Sequence, residues 1–308
     1  MGRMQLAYLV LEVRRPDRWR QFADTVFGPT EPAVNPDGSI GLRFDPAAQR
    51  LVLTEGRSDD LAAIGLELAD DAALDDVTAR LAAAGIPTTP GDGALCRARR
   101  LQRLVACVDP AGNRVELAVG LERVATPAAP AFPAGFRTGE GLGIGHVVLA
   151  KGALATMEAF YCGPLGFRVT ERIDAPLGPT RLRGTFLHCN PRHHSIALFE
   201  FPTRKRMHHF MLQANDVADV GLAHGRALRA KIPMSLGIGQ HPAPDGTISF
   251  YGQTPSGFDF EIGAGGREIE PAGWREQPID LARGWGHRPT ARLKLRVARD
   301  TLAARLGL

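Results

Sequence analysis

No run of this chain is apolar for the roughly 18 residues that a membrane-spanning helix requires. The early stretch Leu6–Val13 is short and lacks a small-residue cleavage site, so it reads as a strand rather than a secretory signal. Cysteine is scarce. Cys96, Cys107, Cys162 and Cys189 lie apart from one another, which argues against a disulfide scaffold or a thiolate zinc site and fits a reducing cytoplasm. Three Trp and three Tyr leave little for stacking on bases. The net charge of +4 gathers in Arg97–Arg103 and Arg288–Arg305 with no recognition motif, so neither nucleic acid nor membrane is expected as a partner. The most informative absence is of histidine: the first 145 residues have none, and all nine lie at or beyond His146. Scattered structural histidines would not segregate in this way, so the chemistry is expected in the second half alone.

What is present is a 308-residue soluble chain, 44% hydrophobic and 23% charged, long enough for two domains of about 150 residues. A Pro/Ala/Gly-rich stretch, Ala125–Gly135, is the linker candidate. Beyond it, apolar periodicity predicts a strand at Ile144–Leu149, a helix at Ala153–Cys162 stopped by Gly163-Pro164, and strands near Phe167–Ile173, Thr185–Cys189 and Ser195–Phe199. The order then repeats. A strand at His209–Ala214 and a helix at Val217–Ala230 lead to strands near Ser235–Gly239, Thr247–Tyr251 and Phe258–Ile262. The first half carries the same order in outline, with strands at Leu6–Val13 and Ala63–Leu68 each followed by a helix, Asp17–Val26 and Leu74–Ala84. DPAGNRVEL at Asp109–Leu117 matches TPSGFDFEI at Thr254–Ile262, so the halves are internal repeats. The expected fold is α+β: tandem βαβββ units, two to each of two similar domains, at 1–124 and 136–289, followed by a basic tail at 290–308.

Aligning the repeats sets Tyr8 opposite His146, Ala63 opposite His209 and Glu116 opposite Glu261. Two imidazoles and a carboxylate with open positions form the facial triad of non-haem iron(II) oxygenases, which leaves room on the metal for substrate oxygens and O2. His146 and His209 begin equivalent strands and Glu261 lies on a last strand, so the three can converge. His208 and His209 are neighbours, as are His193 and His194, and strand alternation leaves one of each pair for the site.

GLGIGHVVLA, LHCNPRHHSIAL, HHFMLQANDVADVG and SFYGQTPSGFDFEIG, in that order, resemble the type I extradiol catechol dioxygenases of the vicinal oxygen chelate superfamily. Within them the likeness is to the two-domain 2,3-dihydroxybiphenyl 1,2-dioxygenase group. The resemblance implies His146, His209 and Glu261 as iron ligands, with Fe(II) ahead of Mn(II), and His194 as the catalytic histidine beside the O2 site. It implies His241 and Tyr251 as hydrogen-bonding partners of the substrate hydroxyls, supported by Asp245, and Val148, Phe186 and His208 as pocket walls. The substrate is then a catechol, cleaved with both atoms of O2 to a hydroxy-oxo-dienoic acid, by an enzyme that assembles as a homo-oligomer. The segment between His241 and Tyr251, PAPDGTISF, departs from the family pattern with Pro242 and Pro244. The remaining histidines, His188, His224 and His287, read as structural or exposed. Other readings on the same scaffold are a metal-dependent isomerase or thiol transferase, or a binding protein without catalysis.

Overall fold

Pro16 opens the first helix, where its missing N–H costs nothing, and Trp19, Phe22, Ala23 and Val26 follow at helical spacing to form one buried face. The computed structural model describes residues 4–30, 32–125, 131–139, 141–177, 180–201, 203–270, 273–279 and 284–305. The first unit comprises β1 (Gln5–Val13), α1 (Pro16–Val26), β2 (Ala33–Val34), β3 (Ile40–Leu42) and β4 (Leu51–Glu55). The second has β5 (Asp60–Glu67), α2 (Asp71–Ala83), β6 (Thr89–Pro90), α3 (Gly93–Arg99), β7 (Arg103–Val108) and β8 (Arg114–Val119). The third has β9 (Gly145–Leu149), α4 (Leu154–Cys162), β10 (Arg168–Leu177), β11 (Thr180–His188) and β12 (Ile196–Glu200). The fourth has β13 (Met207–Gln213), α5 (Val217–Arg229), β14 (Met234–Gln240), β15 (Ile248–Gln253) and β16 (Asp259–Ala264), and β17 (Gln277–Pro278) and α6 (Ala291–Arg305) complete the chain.

Each half makes one sheet. The first runs β2-β3-β4-β1-β5-β8-β7-β6 and the second β14-β15-β16-β13-β9-β12-β11-β10-β17. Within every unit the first and last strands pair in parallel, β1 with β4, β5 with β8, β9 with β12 and β13 with β16. Across units the first strands pair antiparallel, β1 with β5 and β9 with β13, which seats the four leading strands centrally. The repeated βαβββ order is therefore complete in all four units. The short strands β2 and β6 and the helix α3 escape hydrophobic periodicity because two- and seven-residue elements carry too little of it.

The two sheets share one core. Trp19 and Phe22 of α1 pack against Phe258 and Phe260 of the second half, and the Trp19 indole donates to Ser256 Oγ at 2.8 Å. In the segment between the sheets, residues 126–130 of the expected linker lie outside the described residues. Phe132, just after them, is fully buried beneath the Arg226 guanidinium, so that part of the connection is core rather than solvated chain. The basic tail is helical as far as described and is tied down: Arg296 of α6 clasps Asp259 of β16 with both terminal nitrogens, at 2.7 and 2.5 Å.

Candidate metal centre

Strands β16, β13 and β9 lie side by side, and register sets Met211 of β13 directly between His146 of β9 and Glu261 of β16. His209 is two residues before Met211 and so shares its face. Backbone pairing alone thus brings two imidazoles and one carboxylate from distant segments onto a single patch. His146 Nε2 stands 3.1 Å from His209 Nε2 and 3.1 Å from Glu261 Oε2, and His209 Nε2 is 3.3 Å from that same oxygen. All three side chains are buried.

The chemistry of this donor set fits a divalent cation. Metal–ligand bonds of about 2.1 Å at right angles put neighbouring donors about 3.0 Å apart, close to the edges of the observed triangle. Glu261 Oε2 is buried and makes no hydrogen bond, an orphaned acceptor of the kind that folded proteins leave only for a reason. Burial by itself would raise the Glu261 carboxyl. Contacts from His146, His209 and His241 outweigh it and hold the group well below the usual range, so it is an anion. Burial lowers His146, its pull exceeding that of Glu261, and so favours the neutral ring that a metal needs.

Around the triad stand most of the other residues singled out from sequence. The His194 ring stacks on His146 with centroids 4.1 Å apart, and Phe186 meets His194 edge-on at 4.9 Å. His241 Nε2 contacts the Tyr251 hydroxyl at 2.8 Å and Glu261 Oε1 at 3.3 Å. Burial opposes the charged form of His241, but the Glu261 contact and the charges of Asp245 and Glu261 push it up to about 9. Asp245 accepts from Thr247 at 2.6 Å and lines, with His146, His193, His194 and Met211, a cavity beside the triad. The segment 241–247 that holds it includes a cis Ala243–Pro244 bond.

His208 behaves differently from simple alternation. The β9–β13 register is irregular between Met207 and His209, and the His208 Nδ1 sits 2.8 Å from His209 Nδ1. It lines a separate cavity of about 260 Å³ with Phe201, Met207 and residues of α6, while Val148 is buried directly across from His209. Two residues that sequence reasoning did not single out also belong here. His287 packs its ring 4.7 Å from that of His241, and Glu171 is buried behind His193. Both come from outside the repeat-aligned positions, so no periodic signal marks them.

Paired βαβββ sheets, one of them bearing two histidines and a glutamate on its leading and closing strands, define the vicinal oxygen chelate architecture. Residues 143–262 match the family described as the Glyoxalase/Bleomycin resistance protein/Dioxygenase superfamily, and residues 6–56 match the Dihydroxybiphenyl dioxygenase BphC D1 family. A 3-methylcatechol 2,3-dioxygenase of Pseudomonas putida is 38% identical over 291 residues, covering 94% of this chain and 98% of that protein. An iron-dependent extradiol dioxygenase of Rhodococcus jostii is 36% identical, over 93% of this chain and 97% of the relative. A crystal structure of a catechol 2,3-dioxygenase superposes with a TM-score of 0.81 at 34% identity, covering 94% of this chain and 96% of that one. The chain belongs to the extradiol catechol dioxygenases.

Proposed function

We propose that the second sheet holds one iron(II) ion on His146, His209 and Glu261 and cleaves a substituted catechol beside one of its hydroxyl-bearing carbons, with both atoms of O2 entering the product. The balanced reaction joins the catechol and O2 into a ring-opened hydroxy-oxo-dienoic acid, with no other co-reactant. Iron bound there supplies Lewis acidity toward the two catechol oxygens and the redox chemistry for O2. The first half, 1–124, has no histidine to make such a set and serves as scaffold to the catalytic 136–289.

The remaining steps fall to the protein. His241 and Tyr251, joined to each other and to Glu261, hold the two substrate oxygens unequally, so that one loses its proton more readily. His194 holds and returns a proton at Nε2 as the O–O bond breaks, a role suited to an imidazole. Phe186 and Val148 wall the ring, and Asp245 supports the charge of His241. The observation that carries this reading is the triangle made by two imidazole nitrogens and an orphaned buried carboxylate oxygen.

The test is anaerobic loading of the enzyme with iron(II) and then with 3-methylcatechol or 2,3-dihydroxybiphenyl, followed by admission of O2. A yellow ring-opened product with one O2 consumed per catechol is expected. Binding without O2 uptake, or cleavage between the two hydroxyl-bearing carbons, would overturn the reading. A panel of ring-substituted catechols then ranks the substrates.

A further inference from the structure

The bulge in β10 is the starting point. Its pairing with β11 shifts register between Val169 and Glu171, so Thr170 and Glu171 are both turned inward, at 0% and 1% exposure. Bulges concentrate beside active sites because they re-aim side chains in this way. Thr170 is occupied, its hydroxyl donating to the His193 carbonyl at 2.7 Å and meeting His188 Nδ1 at 2.7 Å. Glu171 is not. One of its oxygens is buried with no hydrogen-bond partner, and the other faces His193 Nε2, likewise without a hydrogen-bond partner, at 3.4 Å. On the opposite side of that ring, His193 Nδ1 meets His194 Nδ1 at 3.0 Å. The result is a buried file of carboxylate, imidazole and imidazole that ends against His146.

The protons of this file follow from valence. A neutral imidazole carries one N–H, and a nitrogen facing a carboxylate is the one that keeps it. With both rings neutral, His193 bears its hydrogen on Nε2, toward Glu171, and presents a lone pair at Nδ1. Only one hydrogen fits between two facing ring nitrogens, so His194 supplies it from its own Nδ1. Nε2 is then the ring nitrogen of His194 left with a free lone pair. We propose that Glu171 and His193 are positioning residues for His194, fixing its ring and its tautomer so that the Nε2 lone pair serves the reaction. The logic is that of a buried acid behind a catalytic imidazole, extended by one ring. It rests on the proposed role of His194, and it makes the neighbouring histidine a support rather than a rival.

A double-mutant cycle tests it on the iron-loaded enzyme, with kcat, KM for catechol, anaerobic catechol binding, iron content and thermal melting read for each variant. Glu171→Gln is expected to lower kcat by about 10- to 100-fold, the usual effect of removing such outer support. KM, catechol binding and one iron per chain should stay unchanged, and Glu171→Asp should recover part of the rate. In a His194→Ala background the same Glu171→Gln change should be silent, because the group it positions is gone. A wild-type rate for Glu171→Gln, or an equal loss in both backgrounds, would overturn the proposal. More than one metal ion per chain would place a cation among His193, His194 and Asp245, which also approach one another, and would overturn it as well. If Glu171→Gln fails to fold, His193→Phe carries the same comparison. A normal rate for His194→Ala alone would instead remove the role of His194, and so separates the two failures.

Discussion

Glu116 and Glu261 hold the same place in two copies of one sheet. In the first half Gly65 of β5 pairs with Tyr8 of β1 and Glu116 of β8; in the second, Met211 pairs with His146 and Glu261. Ala63 and His209 then correspond, two residues earlier on the same strands. Both carboxylates are fully buried, and each must be compensated, because an ion without a partner is expensive away from water. The first half does so with its own side chains: Tyr8 Oη donates to Glu116 at 2.9 Å, Arg99 Nε at 3.0 Å and Arg114 Nε at 2.8 Å. Gly65 makes room, since a Cβ there would lie 2.3 Å from the Tyr8 ring, and Ala7, Ala63 and Ala118 close around it. The second half supplies imidazoles and leaves one oxygen unsatisfied. Two guanidiniums and a phenol seal one glutamate; the other, on the proposed function, keeps a place for a metal ion.

The contrast breaks most decisively at the ligands. Alanine at His146, His209 or Glu261 is expected to abolish stoichiometric iron and bring turnover to background, read by metal analysis and O2 uptake, whereas Glu116→Ala keeps the iron. Iron retained without Glu261, or lost without Glu116, would reverse the assignment of the halves. His194→Ala comes next, with iron retained and kcat lowered by about 10² to 10⁴, the range for losing an acid–base group. Glu116→Ala should cost about 3–5 kcal/mol of stability in denaturant titration, since it strands Arg99 in the interior. The smallest effect is Tyr8→Phe, which removes one hydrogen bond and should cost about 1 kcal/mol with kcat unchanged. A large loss of activity there would mean that the first half contributes more than scaffold.

Much of this is legible in the amino-acid sequence. The strong apolar strands and amphipathic helices such as Val217–Arg229 declare themselves by period, and the βαβββ order follows from their repetition. The segregation of histidine pointed to the second half, and the repeat alignment selected His146, His209 and Glu261, which the register brings onto one patch. Less visible were the elements too short for periodicity, β2, β6 and α3, and the contacts that depend on local irregularity. His208 beside His209 and Glu171 behind His193 both arise at register shifts, which no alternation rule anticipates. His287 reaches His241 from a segment beyond the repeats, where nothing in the pattern points to a partner.

The order of the chain by itself determined the number of units, their duplication and the residue types held at equivalent positions, because these are properties of neighbours and of period. Only the tertiary structure decided which buried acid is satisfied and which is left open. That depends on side chains more than a hundred residues apart in sequence meeting at about 3 Å, a distance set by pairing and packing together.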